Sequence, residues 1–376
     1  MKKEKFKSVE KREAEKITIF TFFALLFGGM LLSLLTPDTV VSKTERRSMA
    51  QKPKLSVERI LDGRFMEDAE EYALEQFWQR DVFRSVKSEF EQFVFLKKDS
   101  EGYYRDSDGI YRMDTVLKEN NLIRTANAFS EMTEEHFSDA KVYYAVIPDK
   151  NYFAAEENGI PTYDYERLHA ILEENMNGIS YIDLYDLLKM EDYYATDLHW
   201  RQESIVDVAE YLSEEMEAET EPQEYDKVLV KEDFYGGYAG GSAFVTEPEC
   251  LYALHSTVID EAMVYDYETR DTTSVYVPEK LSGTDDYDYF LSGARALLTI
   301  ENPNQKNGRK LLLFRDSFGS AIAPLMLSAY SEITLVDLRY ISSSYLFDMI
   351  DADSYDTVLF LYSTTLLNSS DGLKLY

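Results

Sequence analysis

One stretch constrains this chain before anything else does. Residues 17–37 (ITIFTFFALLFGGMLLSLLTP) run for 21 positions without a charge. Built as a helix at 1.5 Å per residue, they reach about 30 Å, the thickness of the hydrocarbon core of a bilayer. A cleaved signal peptide would carry an apolar region of ~7–15 residues and small residues at its cleavage site. This run is longer, and no A-x-A pattern follows Leu35. A cleaved signal and a buried soluble helix stay open as alternatives, but the run predicts an uncleaved signal anchor. Residues 1–16 ahead of it hold seven Lys/Arg against four Glu, a net of +3. An excess of basic residues keeps such a flank cytoplasmic, which puts the body of the chain on the other side. No second run of this kind occurs, so the expectation is a single-pass protein.

The charge belongs to the body. The chain of 376 residues carries a formal −31, so the +3 of the tip leaves −34 on the remaining 360. A surface this acidic repels phosphates, which excludes nucleic acid as a partner. Hydrophobic residues at 45% and aromatics at 14% exclude a disordered acidic polymer. The single cysteine, Cys250, can form neither an internal disulfide nor a Cys-based zinc site. An exported chain that does without disulfides fits a bacterial envelope.

The expected division is a cytoplasmic tip (1–16), an anchor (17–37), a polar linker (38–56) and an extracytoplasmic body (57–376) with a helical lead-in. Within 57–95, apolar residues such as Ile60, Phe65, Ala69, Tyr72, Phe83 and Phe90 recur at helical spacing. Residues 102–113 read as a hairpin around an Asp108-Gly109 turn. Helices expected over 116–132, 165–176, 202–216, 319–330 and 343–349 then alternate with apolar strands over 142–147, 180–183, 310–314, 332–337 and 357–362. That alternation predicts an α/β fold with a parallel sheet. Residues 236–243 (GGYAGGSA) read as a mobile loop and a candidate lid. The Asp-rich stretches 106–109 and 284–289 are candidate metal sites. Neither fits a calcium loop, and both read better as a turn and a solvated loop. No Gly-rich phosphate loop occurs, and no cofactor is expected.

Three residues could carry chemistry. In LLLFRDSFGS, a buried strand ends at Phe314 and a helix follows, which places Ser317 where a strand edge meets a helix start. Backbone N–H groups there can stabilise an anion, although Ser317 or Asp316 could equally act as a cap. A serine nucleophile needs a base. Of the four histidines, His136, His169 and His255 lie in segments that suggest surface or packing roles. His199 lies in YYATDLHW with Asp197 two residues before it. In an extended segment, positions i and i+2 face the same side, so Asp197 can orient the His199 ring. A strand–turn–helix serine and an Asp-x-His element are complementary parts of an acyl-transfer site.

At these residues the sequence resembles the DHHW proteins of the AlgX/AlgJ-like SGNH hydrolase-like group. The resemblance runs from about Leu55 to the end, through FMEDAEEYALEQFWQRD (65–81), PDK (148–150), ATDLHW (195–200), FYGGYAGGS (234–242), RDSFG (315–319) and VDLRY (336–340). It implies an SGNH-like three-layer α/β/α fold with an Asp197–His199–Ser317 triad. It also implies O-acetylation of an exopolysaccharide, or the reverse reaction, with a multi-pass membrane acyltransferase supplying the acyl group. Leu198 replaces the first His of the DHHW name, and Ala294 stands where the resemblance leads one to expect an Asn that could support an oxyanion. A second reading therefore stands beside the enzyme: a weak or inactive protein that binds a glycan or a partner on the same scaffold.

Overall fold

The computed structural model describes residues 2–369 and 372–375, with side chains from residue 15 onward. Met1, the side chains of residues 2–14, Ser370, Asp371 and Tyr376 lie outside the described residues, and with them most of the basic tip and three positions at the end of the expected body. Helix α1 (Lys2–Leu35) carries the apolar run. Its stretch from Glu15 to Leu35 has a mean hydropathy of 2.2 and is almost uncovered by the rest of the chain. Among the described residues it is the one helix long and apolar enough to cross a membrane.

The helical spacing of 57–95 resolves into three pieces, α2 (Val57–Leu61), α3 (Arg64–Glu75) and α4 (Arg80–Phe93). The breaks fall at Gly63 (φ 86°) and Gln79 (φ 57°), whose left-handed backbones cannot continue a right-handed helix. Residues 38–56, expected as a linker, form a small antiparallel turn, Val41–Ser42 against Arg47–Ser48, that packs on the body. The hairpin Tyr103–Arg105/Ile110–Arg112 forms as the Asp-Gly turn predicts. Asp106 Oδ1 accepts from the main-chain N–H groups of Asp108 and Gly109 and so shapes the turn rather than a metal site.

The centre is an eight-stranded sheet of β1 (Lys141–Ile147), β2 (Ser180–Ile182), β3 (Met263–Asp266), β4 (Asp271–Ser274), β5 (Leu297–Glu301), β6 (Lys310–Arg315), β7 (Glu332–Val336) and β8 (Thr357–Ser363). The order is β4-β3-β5-β7-β6-β8-β1-β2. The five strands foreseen from their apolar runs pair in parallel, with Leu313 opposite both Leu335 and Leu359. The other three extend one edge antiparallel. Their runs are short and mixed with Thr, Tyr and Asp, which hid them from a reading by apolar runs.

Alternate side chains enter two cores, as strand geometry requires. Ala145, Ile147, Leu311, Leu313 and Leu359 face α7 (Val206–Glu215) and the Gly319–Ser328 helical segment. Val146, Leu312, Phe314, Val358 and Phe360 face α5 (Glu119–His136) and α6 (Tyr165–Asn175). The fold is a three-layer α/β/α sandwich, and the turn carrying Ser317 leaves the carboxyl end of its central strand β6, where open parallel sheets place their sites.

Candidate active site

Ser317 follows β6 directly and is partly exposed, whereas residues 311–316 and 318 are buried. It is not a cap. Asp316 shapes the turn instead: Oδ1 accepts from Phe318 N at 3.1 Å, and Oδ2 accepts from Ser363 N and Ser363 Oγ at 2.9 and 2.6 Å. The serine turn is thereby tied to the end of β8. The Ser317 hydroxyl lies 2.7 Å from His199 Nε2, and His199 Nδ1 lies 2.6 Å from Asp197 Oδ1. The structure thus brings together Asp197, His199 and Ser317, across 118 residues of chain. His136 instead stacks on Phe347, His169 meets Tyr185 edge to face, and His255 pairs with Asp260.

The Asp-x-His segment is held from all sides. Trp200 Nε1 donates to Phe318 O at 3.1 Å and locks this segment to the serine turn. Glu249 accepts from Ala195 N and Thr196 N, and from Arg201. Beneath, Lys150 is buried and its ammonium donates to the carbonyls of Ile110, Tyr194, Ala195 and Asp197 at 2.8–3.2 Å. Burial pushes Lys150 down to about 7, opposed first by the charge of Asp197; four carbonyl oxygens around one nitrogen favour the ammonium, which has three protons to give.

Asp197 is fully buried. Burial alone would raise its pKa, but Arg46 and His199 hold it well below the usual carboxylate range. Its Oδ2 accepts from Gly237 N at 2.7 Å and pairs with Arg46 at 2.9 Å. Arg46 also pairs with Asp285 at 2.8 Å. On the other side, the Tyr287 ring lies flat on the His199 imidazole, centroids 4.0 Å apart and planes at 8°. Such stacking holds the ring plane that the two hydrogen bonds require.

This is the geometry of a nucleophile, a base and an orienting acid. No family model matches the sequence, and no curated protein matches it. Solved structures do. A DHHW family protein from Eubacterium siraeum superposes with a TM-score of 0.59 at 19% identity, over 73% of this chain and 95% of that one. PatB1 of Bacillus cereus, solved with a sulfonyl adduct, follows at 0.57 and 18%, over 70% and 95%. The O-acetyltransferase domain of Pseudomonas putida AlgJ is more distant, at 0.41 and 12% over 71% and 92%. The fold is that of a DHHW family protein.

On this DHHW fold, three parts of the site escaped the sequence reading. The segment 236–243, expected as a mobile loop, is a short helix, Gly237–Ser242, that is largely buried. Its glycines serve close approach. A Cβ on Gly236 would lie 2.2 Å from Thr196 O, and one on Gly240 would lie 1.7 Å from Thr44 O. The stretch 284–289, expected as a solvated loop, supplies Asp285 and Tyr287. Arg46 comes from the expected linker. The signal available was the glycine pattern, since glycine without a turn marks a place where backbones touch.

Ala294 is exposed, and its methyl group offers no donor. The loop before it has left-handed backbone at Leu291, Ser292 and Gly293 (φ 52°, 60° and 76°). The buried Arg315 ties it to the serine turn by donating to Gly293 O at 3.4 Å. Nearby, burial pushes Asp288 up to about 6, and Asp285 adds to the shift. A carboxyl raised in the folded state stabilises the fold below its unfolded pKa near 4, and that contribution is lost as pH rises through about 6. Asp288→Asn is therefore expected to raise the thermal midpoint near pH 7.5 and leave it unchanged near pH 4. The gain is about 1 kcal/mol, because the group is partly solvated. Calorimetry at the two pH values checks this, and equal shifts at both would contradict it.

Proposed function

We propose that this chain is a membrane-anchored, extracytoplasmic serine acyltransferase or esterase. It works through an acyl-Ser317 intermediate on a bacterial cell-surface polysaccharide. The observation that carries the reading is the continuous relay from Asp197 through His199 to a partly exposed Ser317 hydroxyl, at 2.6 and 2.7 Å. Ser317 Oγ attacks the acyl carbonyl carbon while His199 Nε2 takes its proton. The tetrahedral intermediate collapses, and the leaving oxygen receives that proton. A sugar hydroxyl, or water, then attacks acyl-Ser317 with His199 again as base, and the proton returns to Ser317.

Among the described residues the Ser317 N–H has no acceptor, which leaves it free to receive the oxyanion. Ala294 has no side-chain donor to add to it; loss of one donor costs such sites about 10²–10³ in kcat. The acetyl group, the polysaccharide and a multi-pass partner that delivers acyl groups across the membrane rest on the sequence resemblance and on the anchor.

The test is covalent labelling of the full chain with a fluorophosphonate. Labelling is expected for the wild type and lost in Ser317→Ala and His199→Ala. A sulfonyl fluoride serves as a second probe, since PatB1 carries a sulfonyl adduct. A folded wild-type chain that neither probe labels would reject the enzyme in favour of a binding protein.

A further inference from the structure

Helix α4 is built inside out. Its polar face packs on the body. Arg84 donates to the carbonyls of Gly240 and Gly241 at 3.2 and 3.0 Å, and Ser88 Oγ to Ser242 O at 2.7 Å. Glu89 accepts from Arg105 and from Val245 N at 2.7 and 2.9 Å. Its apolar face has no such cover. Val82, Phe83, Val86, Phe90 and Phe93 follow one another at spacings of one, three, four and three residues, a single helical stripe. Each is 51–67% exposed. The stripe continues into Val94, Phe95 and Leu96, 55–79% exposed. A contiguous apolar surface of this kind on a water-facing helix marks an interaction site.

The same corner of the fold touches the apolar span. Phe77 packs against Gly29, and the main-chain N–H of Trp78 donates to Ser33 Oγ at 2.9 Å. Gly29 lies six residues before the end of α1, about 9 Å along its axis. If residues 17–37 fill a bilayer, the start of α4 is held at the level where that bilayer ends. A tryptophan there suits the interface between acyl chains and headgroups.

We propose that the apolar stripe of α4 lies in the leaflet adjoining the C-terminal end of the span, with lipid acyl chains as its occupant. Such a helix rests in the plane of the interface, apolar side down. The inference rests on residues 17–37 being a membrane anchor. It adds a second attachment, through a helix whose polar face grips Gly240–Ser242, the short helix whose first N–H binds Asp197. The membrane contact is thereby joined to the candidate active site by four turns of packed structure and no free linker.

The test uses the full chain in phosphatidylcholine liposomes, with Cys250→Ser as background and an environment-sensitive fluorophore on single cysteines. Val86→Cys and Phe93→Cys report on the stripe. Leu25→Cys reports on the span, and Asp353→Cys on an exposed surface position. Doxyl-labelled lipids are expected to cause loss of emission at positions 86 and 93 as well as at 25, but not at 353. Emission lost at 25 but retained at 86 and 93 would overturn the interfacial helix while leaving the anchor intact. Retention at all four would overturn both. Labels at 86 and 93 shielded from lipid and from aqueous iodide alike would show a protein cover, and would overturn lipid as the occupant.

Discussion

Asp197→Asn is expected to lower kcat about 10⁴-fold near neutral pH, the loss that a wrong imidazole tautomer costs a serine triad. The reason lies in the four donors around one carboxylate. Oδ1 receives His199 Nδ1–H and the His199 main-chain N–H, while Oδ2 receives Gly237 N–H and faces the Arg46 guanidinium. An amide has one oxygen to offer. The charged Arg46 and the Gly237 N–H claim it, which turns the amide NH₂ toward Nδ1. That nitrogen must then accept, the proton moves to Nε2, and Nε2 can no longer take the proton of Ser317. Turnover of an activated acetyl ester by the full chain measures the effect, with the thermal midpoint as a check on folding. A folded Asp197→Asn protein within tenfold of the wild type would remove Asp197 from the role assigned to it.

How much of this was legible before the structure depends on where each group sits in the chain. The parallel strands were visible because each is a short apolar run buried on both faces, a pattern few other structures produce. Asp197 and His199 were visible because two residues of extended chain suffice to align them. Ser317 was visible because the strand-to-helix switch at Phe314–Gly319 is written in local composition. What stayed hidden depends on contacts that local spacing does not encode. Tyr287 lies flat on His199 from a stretch whose three aspartates made it look solvated. The glycines of 236–243 looked like flexibility, yet a side chain at Gly240 would strike Thr44. The apolar stripe of α4 was read correctly as helical, but spacing alone cannot tell a face that meets a core from one that meets something else. Arg46 was concealed most completely, inside a polar segment just past the apolar helix α1.

Arg46→Ala is expected to lower kcat/KM about 10²-fold, on the scale that small misplacements of catalytic groups cost. Arg46 is 11% exposed and lies 11 residues after Leu35, yet its guanidinium bridges Asp197 and Asp285 and also donates to Tyr235 O at 2.9 Å. Without it, two carboxylates face each other across a buried gap, and Asp285, already pushed up by burial, loses the charge that opposes the shift. Asp197 then loses the cation on its Oδ2 and the contact that fixes its carboxylate plane toward His199. The groups that bear on His199 are Asp197, Asp285 and Arg46 among the charges, with Tyr287 on its face and Lys150 behind the Asp197 carbonyl; only Arg46 is changed. Arg46→Lys should recover part of the rate, because an ammonium restores charge without the planar two-carboxylate bridge. A purely structural Arg46 would lower the thermal midpoint by the same amount at every pH. The depressed Asp197 contributes stability above pH near 4 and loses it as pH falls below, so the wild type and Arg46→Ala should converge in midpoint under acid and diverge near neutrality. If instead the two midpoints differ equally at all pH values, the turn that follows α1 is a brace on the domain and not a setting for the chemistry of Asp197.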